Sequence, residues 1–436
     1  MRDVGARVLR ALHGLDPAAG PAGAAAGILV AADLAPGDAA ALDPEVVTGI
    51  ALARGGATSH AAILARALGI PTVAGLGPAV LAVAPGTAVV LDGQAGTLEV
   101  APGDDVVEAR RAAQAAAEQR RAHARSRAHE PATTADGVTL AVHANAGTVR
   151  DAHAAVEQGA DGIGLLRTEF LFLDREEAPS EEEQRETYAE IARALEGRPL
   201  TIRTLDAGAD KPLRFIATDP EDNPFLGVRG IRLSLLHPEL FAAQLRAIAA
   251  VAKDHPVRLM FPMVGTLEEL RAGRAAVQAA RAATGAPEFP VGAMVEVPAL
   301  PLAAERFARE AAFFSVGTND LTQYTLAAER GNPGVAALGA GTPPAVLRLV
   351  DLLVAGAQVH GRPVGVCGEL AGDPAAAVLL AGLGVSSLSA AAGRVAEVKQ
   401  ALRDVRLADA RELARQALDA EDAAAVAALA APLLTG

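Results

Sequence analysis

His60 is one of only nine histidines in this 436-residue chain, and it sits in "GGATSH", a glycine-rich lead into an apolar helical run. Thr58 or Ser59 is placed to cap the helix that follows. An imidazole at a helix N-terminus has its cationic form disfavoured by the dipole, which leaves a neutral nucleophilic nitrogen, and the same amides can hold an anion set on that nitrogen. The pattern therefore fits a phosphoryl-accepting histidine. By spacing alone it fits a capping or packed histidine as well.

A second set of residues lies between positions 167 and 369, each at the end of a short apolar run. Arg167, Arg203 and Arg330 supply planar forks suited to phosphate or carboxylate oxygens. Glu296 and Asp320 fall at the ends of neighbouring runs. Two carboxylates beside an anionic ligand suit a magnesium ion that keeps waters and binds substrate oxygens. Cys367, in "GVCGELAGD", is the only cysteine. The sequence leaves two roles open for it, a buried inert thiol or a general acid in proton transfer.

The elements that must position these groups repeat. From Val138 onward a short apolar strand ends in polar residues and an amphipathic helix follows. The strand ends are "LAVHAN", "GIGLLRTE", "LTIRTLD", "RLMFPM", "VGAMVE", "FFSVGTND", "PVGVCGE" and "VSSLS". Eight βα units predict a closed parallel (β/α)8 barrel of the TIM type, whose active site gathers at the strand C-termini. The overall class is α/β. Before it, residues 1–103 read as a small β/α domain around one helix, with "TAVVLDGQAGTLEV" as a hairpin turned by Asp92-Gly93 and Ala95-Gly96. Residues 104–131 read as a linker helix, "DDVVEARRAAQAAAEQRRAHARSRAHE", acidic at its start and basic at its end. The barrel then occupies 132–436.

Composition narrows the function. A formal net charge of -13 with no basic domain excludes a general nucleic-acid binder. One cysteine excludes an internal disulfide and a cysteine-based zinc site, and fits a reducing cytoplasm. The N-terminal residues lack the apolar core of a signal peptide. The charge-free run Pro374–Gly393 is long enough to raise a membrane question. Its "GLG" and "SSLS" make a buried helix followed by a strand the expected outcome, so no membrane association is expected.

With both halves in view, the sequence closely resembles enzyme I of the bacterial phosphoenolpyruvate (PEP):sugar phosphotransferase system. "GGATSHAAILARALGIPTVAG" looks like the phosphohistidine signature of the PEP-utilising families. "GADGIGLLRTEFLFLDREEAPSEEEQ", "TIRTLDAGADKPL", "NPFLGVRGIRLSL", "FPMVGTLEEL", "VEVPA", "SVGTNDLTQYTLAAERGNP" and "VCGELAGD" look like its barrel motifs in the family's order. The resemblance implies that His60 takes the phosphoryl group on Nε2. It implies that Arg167, Arg203, Asn319, Asp320 and Arg330 bind PEP, with Arg229 and Lys211 as further contacts. Glu296 and Asp320 would be the Mg²⁺ ligands, and Cys367 would protonate the enolate carbon to give pyruvate. A homodimer through the barrel and onward transfer to the phosphocarrier HPr are also implied, with residues 1–103 swivelling to carry the group.

The chain departs from the family at its N-terminus. By the resemblance, the sequence from Met1 is expected to start after the helical subdomain that docks HPr and after the first strand of the small domain, which leaves relay to HPr an open expectation. Ala209 stands where a glycine is usual. Two other readings stay open: a non-catalytic or half-reaction remnant, and a fragment of a pyruvate phosphate dikinase or PEP synthase, whose nucleotide-binding domain is absent.

Overall fold

The computed structural model describes residues 27–34, 38–39, 42–55, 65, 68–93, 96–209, 211, 213–216, 219–330, 332 and 334–434. The chain divides into two compact units, Met1–Gln119 and Arg120–Gly436. His60, the proposed cap residues Thr58 and Ser59, and most of the expected helix after them lie outside the described residues.

In the first unit, β1 (Gly27–Ala31), β2 (Val47–Leu52) and β3 (Thr72–Val73) form a parallel sheet in that order. Ile50, Leu52 and Ile70 are buried in its core. The expected hairpin forms as β4 (Val89–Asp92) against β5 (Thr97–Val100), with Leu91 facing Leu98. The long helix Asp104–Ser126 opens on Asp104 and Asp105 and ends on His123 and Arg125, charges that complement its dipole.

That helix stops at Ser126, short of the expected Glu130. The reason is tertiary. Arg403, from a helix near the C-terminus, donates to the carbonyls of Arg127 (2.8 Å), Glu130 (2.7 Å) and Pro131 (3.1 Å). The chain then enters β6 (Ala132–Thr133), which pairs antiparallel with β7 (Thr139–Ala146).

All eight expected barrel strands are present. They are β7, β8 (Ile163–Arg167), β9 (Leu200–Arg203), β10 (Val257–Phe261), β11 (Val291–Val295), β12 (Phe314–Val316), β13 (Val364–Val366) and β14 (Ser387–Ala391). Each pairs parallel with the next, and β14 returns to pair with β7, closing the barrel. Period-2 alternation sorts their side chains. On β7, Leu140, Val142, Ala144 and Ala146 are buried in the large core beneath the surrounding helices. A second cluster is formed by Leu165, Met260, Met294, Phe313 and Cys367, drawn from five strands or strand ends.

The helices start and stop on local chemistry. Leu267–Thr284 opens on a capping box, with Thr266 accepting from the Glu269 amide and Glu269 reaching back, and it ends at Gly285 in the left-handed conformation. The charge-free run resolves into the buried helix Pro374–Gly382 and β14. Among the described residues no helix is long and apolar enough to cross a membrane.

Candidate active site

Six of the expected residues, Arg167, Arg203, Glu296, Asn319, Asp320 and Cys367, sit where strands end. Arg167 closes β8 and Arg203 closes β9. Glu296 follows β11, Asn319 and Asp320 lie in the first turn of the helix Thr318–Leu326 after β12, and Cys367 follows β13. Together with Lys211 and Arg330 they line one cavity of about 430 Å³ at the C-terminal ends of the strands. Of the barrel residues expected at the site, Arg229 alone lies behind that wall.

The cations divide into two kinds. Arg203, 5% exposed, pairs with Glu169 and with Asp206 (3.1 Å), and its Nη1 also donates to the Met294 sulfur at 3.4 Å. Arg229, 2% exposed, donates to both Asp206 oxygens (3.1 and 3.2 Å), to Asp320 Oδ1 (3.4 Å) and to the Tyr324 hydroxyl (3.3 Å). Burial disfavours both charges, but the carboxylates around them outweigh it and hold both guanidinium groups firmly protonated. Arg167 and Arg330 are exposed instead, and among the described residues neither guanidinium has a hydrogen-bond or ion-pair partner. Buried arginines build the floor, and free arginines face what enters.

The carboxylates are crowded. Glu296 Oε1 accepts from the Met263 amide at 2.9 Å, while Oε2 lies 4.0 Å from Arg203 Nη1. Met263 adopts φ 58°, a left-handed conformation rare for a non-glycine residue, at the point where its amide meets that carboxylate. Burial, then repulsion from Asp206 and Asp320, pushes Glu296 up to about 8. Asp206 moves the other way: burial raises it, but Arg203 and Arg229 prevail and hold it below the usual carboxylate range. A Cβ on Gly317 would come within 2.9 Å of the Glu296 side chain, so this approach needs glycine or a shifted glutamate. Glu169 Oε2 and Thr318 Oγ1 are buried without a partner among the described residues.

Cys367 is buried, its thiol 3.6 Å from the Val316 carbonyl, and burial pushes its pKa up to about 11. The thiol is therefore protonated at neutral pH. Its backbone is held from the side: Asn145 Nδ2 donates to the Cys367 carbonyl at 3.1 Å, and Ser389 donates to Asn145 Oδ1 at 2.7 Å.

Sequence reasoning passed over four participants. Glu169 and Asp206 are the partners of Arg203, and Lys211 reaches Glu169 at 3.3 Å. Glu369 and Asn319 exchange hydrogen bonds, both 3.0 Å, which fixes the Asn319 amide. Tyr324 bridges Arg229 and the Phe225 carbonyl. Glu169, Asp206 and Glu369 were visible as polar strand-end residues; their partners were not.

Two family models match the chain. The PEP-binding domain of PEP-utilising enzymes matches residues 121–407, more than half of the chain, and the mobile domain of the same enzymes matches residues 23–96. The chain belongs to the PEP-utilising enzyme family. A PEP-protein phosphotransferase of Haloferax volcanii is 47% identical over 441 residues, covering 98% of this chain and 76% of that protein. The corresponding protein of Streptomyces coelicolor is 44% identical over 412 residues, covering 94% and 72%. A multiphosphoryl transfer protein of Rhodobacter capsulatus is 47% identical over 430 residues, covering 98% of this chain. The chain spans about half of that protein's length, 52%.

Proposed function

We propose that this member of the PEP-utilising family is a PEP-protein phosphotransferase that moves the phosphoryl group of PEP to His60. The observation that carries the reading is the division of charge in the barrel cavity. Arg167 and Arg330, without a partner among the described residues, line one cavity with buried Arg203, Glu296 and Asp320 and with a protonated thiol.

PEP bears a carboxylate and a phosphate, and the exposed arginines offer each a bidentate fork. Asn319, locked by Glu369, and Lys211 add donors. The donor set also fits Mg²⁺. Among the described residues Glu296 and Asp320 each keep one oxygen without a hydrogen bond, and both line the cavity. Among the described residues no cluster of three or more His, Cys, Asp or Glu side chains forms a metal cage. Two carboxylates completed by substrate oxygens and water are the usual environment of this ion. Bound there, Mg²⁺ would offset negative charge on the phosphate and carboxylate oxygens.

The bond between phosphorus and the enol oxygen breaks while a bond from His60 Nε2 to phosphorus forms. Arg167, Arg203 and Arg330 offset the charge on the transferring group and on the enolate. The enolate carbon then takes the proton from Cys367 Sγ, pyruvate leaves, and the thiolate regains a proton from water before the next turnover.

In this proposal residues 1–103 are the swivelling phosphohistidine domain, 104–131 the linker helix, and 132–436 the PEP-binding barrel. HPr or a similar carrier receives the group, and the protein works in the cytoplasm as a barrel-paired dimer. Incubation with PEP labelled at phosphorus, with Mg²⁺, tests the central step. An acid-labile, base-stable label that disappears in His60→Ala is expected. Unlabelled wild type would refute the proposal.

A further inference from the structure

At the opposite, N-terminal face of the barrel lies a second cavity of about 420 Å³. Val291 opens β11 on its wall, and Ala312 and Arg362 lie two positions before β12 and β13, so it is remote in the fold from the strand C-termini. The helix Leu267–Thr284 contributes Arg274, Val277 and Arg281, and Phe289 adds an apolar surface.

Its guanidinium groups are fixed in an unusual way. Arg281 Nε donates to the Pro287 carbonyl at 2.9 Å, and Arg362 Nε donates to the Ala308 carbonyl at 3.0 Å. Both side chains are half-buried and line the cavity. Among the described residues neither has a partner on its Nη groups. A guanidinium held by its Nε and open at Nη is set for a bidentate oxyanion contact with little further loss of rotamer freedom.

The local charges do not cancel. Arg309 is paired with Glu305 (2.9 Å), and Glu310 is held by Arg271 through bonds of 2.7 and 2.9 Å, which leaves Arg274 only a 3.4 Å share. With Arg271 and Glu305 counted beside the lining, five arginines (Arg271, Arg274, Arg281, Arg309, Arg362) meet three glutamates (Glu288, Glu305, Glu310), a local excess of about two positive charges in a chain of net charge -13. Ordinary surface pairing would have neutralised this face.

We propose that this cavity is a second anion site, for a small phosphomonoester dianion whose phosphate sits on Arg281 and Arg362 and whose carbon skeleton lies on Val277 and Phe289. Its volume falls in the range of small-ligand sites.

The test uses inorganic phosphate as probe, by calorimetric titration of the full chain carrying Arg167→Ala and Arg330→Ala, which removes binding at the strand C-termini. Saturable phosphate binding is expected, weakened roughly tenfold or more when Arg281→Gln and Arg362→Gln are added. Arg281→Lys with Arg362→Lys keeps the charge but loses the fork, and serves if the glutamine variant fails to fold; weakening is expected there too. Absence of binding, binding unchanged by these substitutions, or a preference for succinate over phosphate would each overturn the proposal. No phosphoryl transfer is involved, so the result is independent of the labelling of His60.

Discussion

Cys367 owes its protonated state to where β13 ends, inside the barrel mouth and out of water. With its pKa raised to about 11 by burial, the thiol keeps its proton through neutral and mildly alkaline pH. The donor form is lost only as pH rises through that value, so no alkaline fall in proton transfer is expected between pH 7 and 9. Alkylation by iodoacetamide in the native protein should be slow at pH 8 and quicken only towards pH 11. A native thiol titrating near 9 would contradict this. Cys367→Ala is expected to slow pyruvate formation about 10²-fold or more, read by coupled lactate dehydrogenase. At this scale the sequence was legible in kind but not in partnership. Arg167, Arg203, Arg229 and Arg330 look alike in print. Only the folded chain separates two that are bound by Glu169, Asp206 and Asp320 from two without a partner among the described residues, because apart from Arg203–Asp206 those pairs lie 23 to 91 positions apart.

Among the elements, strands were the most legible. "LAVHAN" and "VGAMVE" are short apolar runs stopped by polar residues, and both fold as read. The helix Asp104–Ser126 was read too long, since its end is set by Arg403 nearly three hundred positions away. The loop after β9 carries a strain that follows from one residue. Gly208 and Lys211 exchange backbone hydrogen bonds (3.0 and 3.1 Å), which pins the loop, and Ala209 inside it adopts φ 53°. A left-handed alanine costs about 1–2 kcal/mol, while glycine costs about 0.5–1 kcal/mol in chain entropy. Ala209→Gly is therefore expected to stabilise the protein by about 0.5–1 kcal/mol, read as a higher urea midpoint. A lower midpoint would show that the loop prefers alanine.

Across the whole molecule, charge and burial set how the barrel answers to pH. The imidazole of His143 on β7 is buried, and its Nδ1 has no partner among the described residues. Burial lowers its pKa to about 4; Asp161 opposes that, and Arg258 and Lys399 add to it. Lys399 is itself fully buried, donating to Asp161 and to the Gly159 carbonyl at 2.7 Å each. A depressed histidine contributes stability above its unfolded value near 6.5, and that stability is lost as pH falls towards 4. The loss amounts to about 3 kcal/mol at pH 4. His143→Gln should flatten this part of the pH–stability curve relative to wild type. Equal slopes would assign the acid sensitivity to the carboxylates instead.

The closure of β7 on β14 has a consequence for how the protein is made. Ala141 pairs with Ser387, 246 positions further on (387 − 141). A ribosome must therefore deliver the whole barrel sequence, through β14, before its first strand meets its last. Until then β7 offers the nascent chain an unsatisfied edge, apart from the two-residue cover of β6. Synthesis, more than the finished fold, is where this protein is most exposed to error, and its demand for chaperones should rise with any slowing of translation before residue 391.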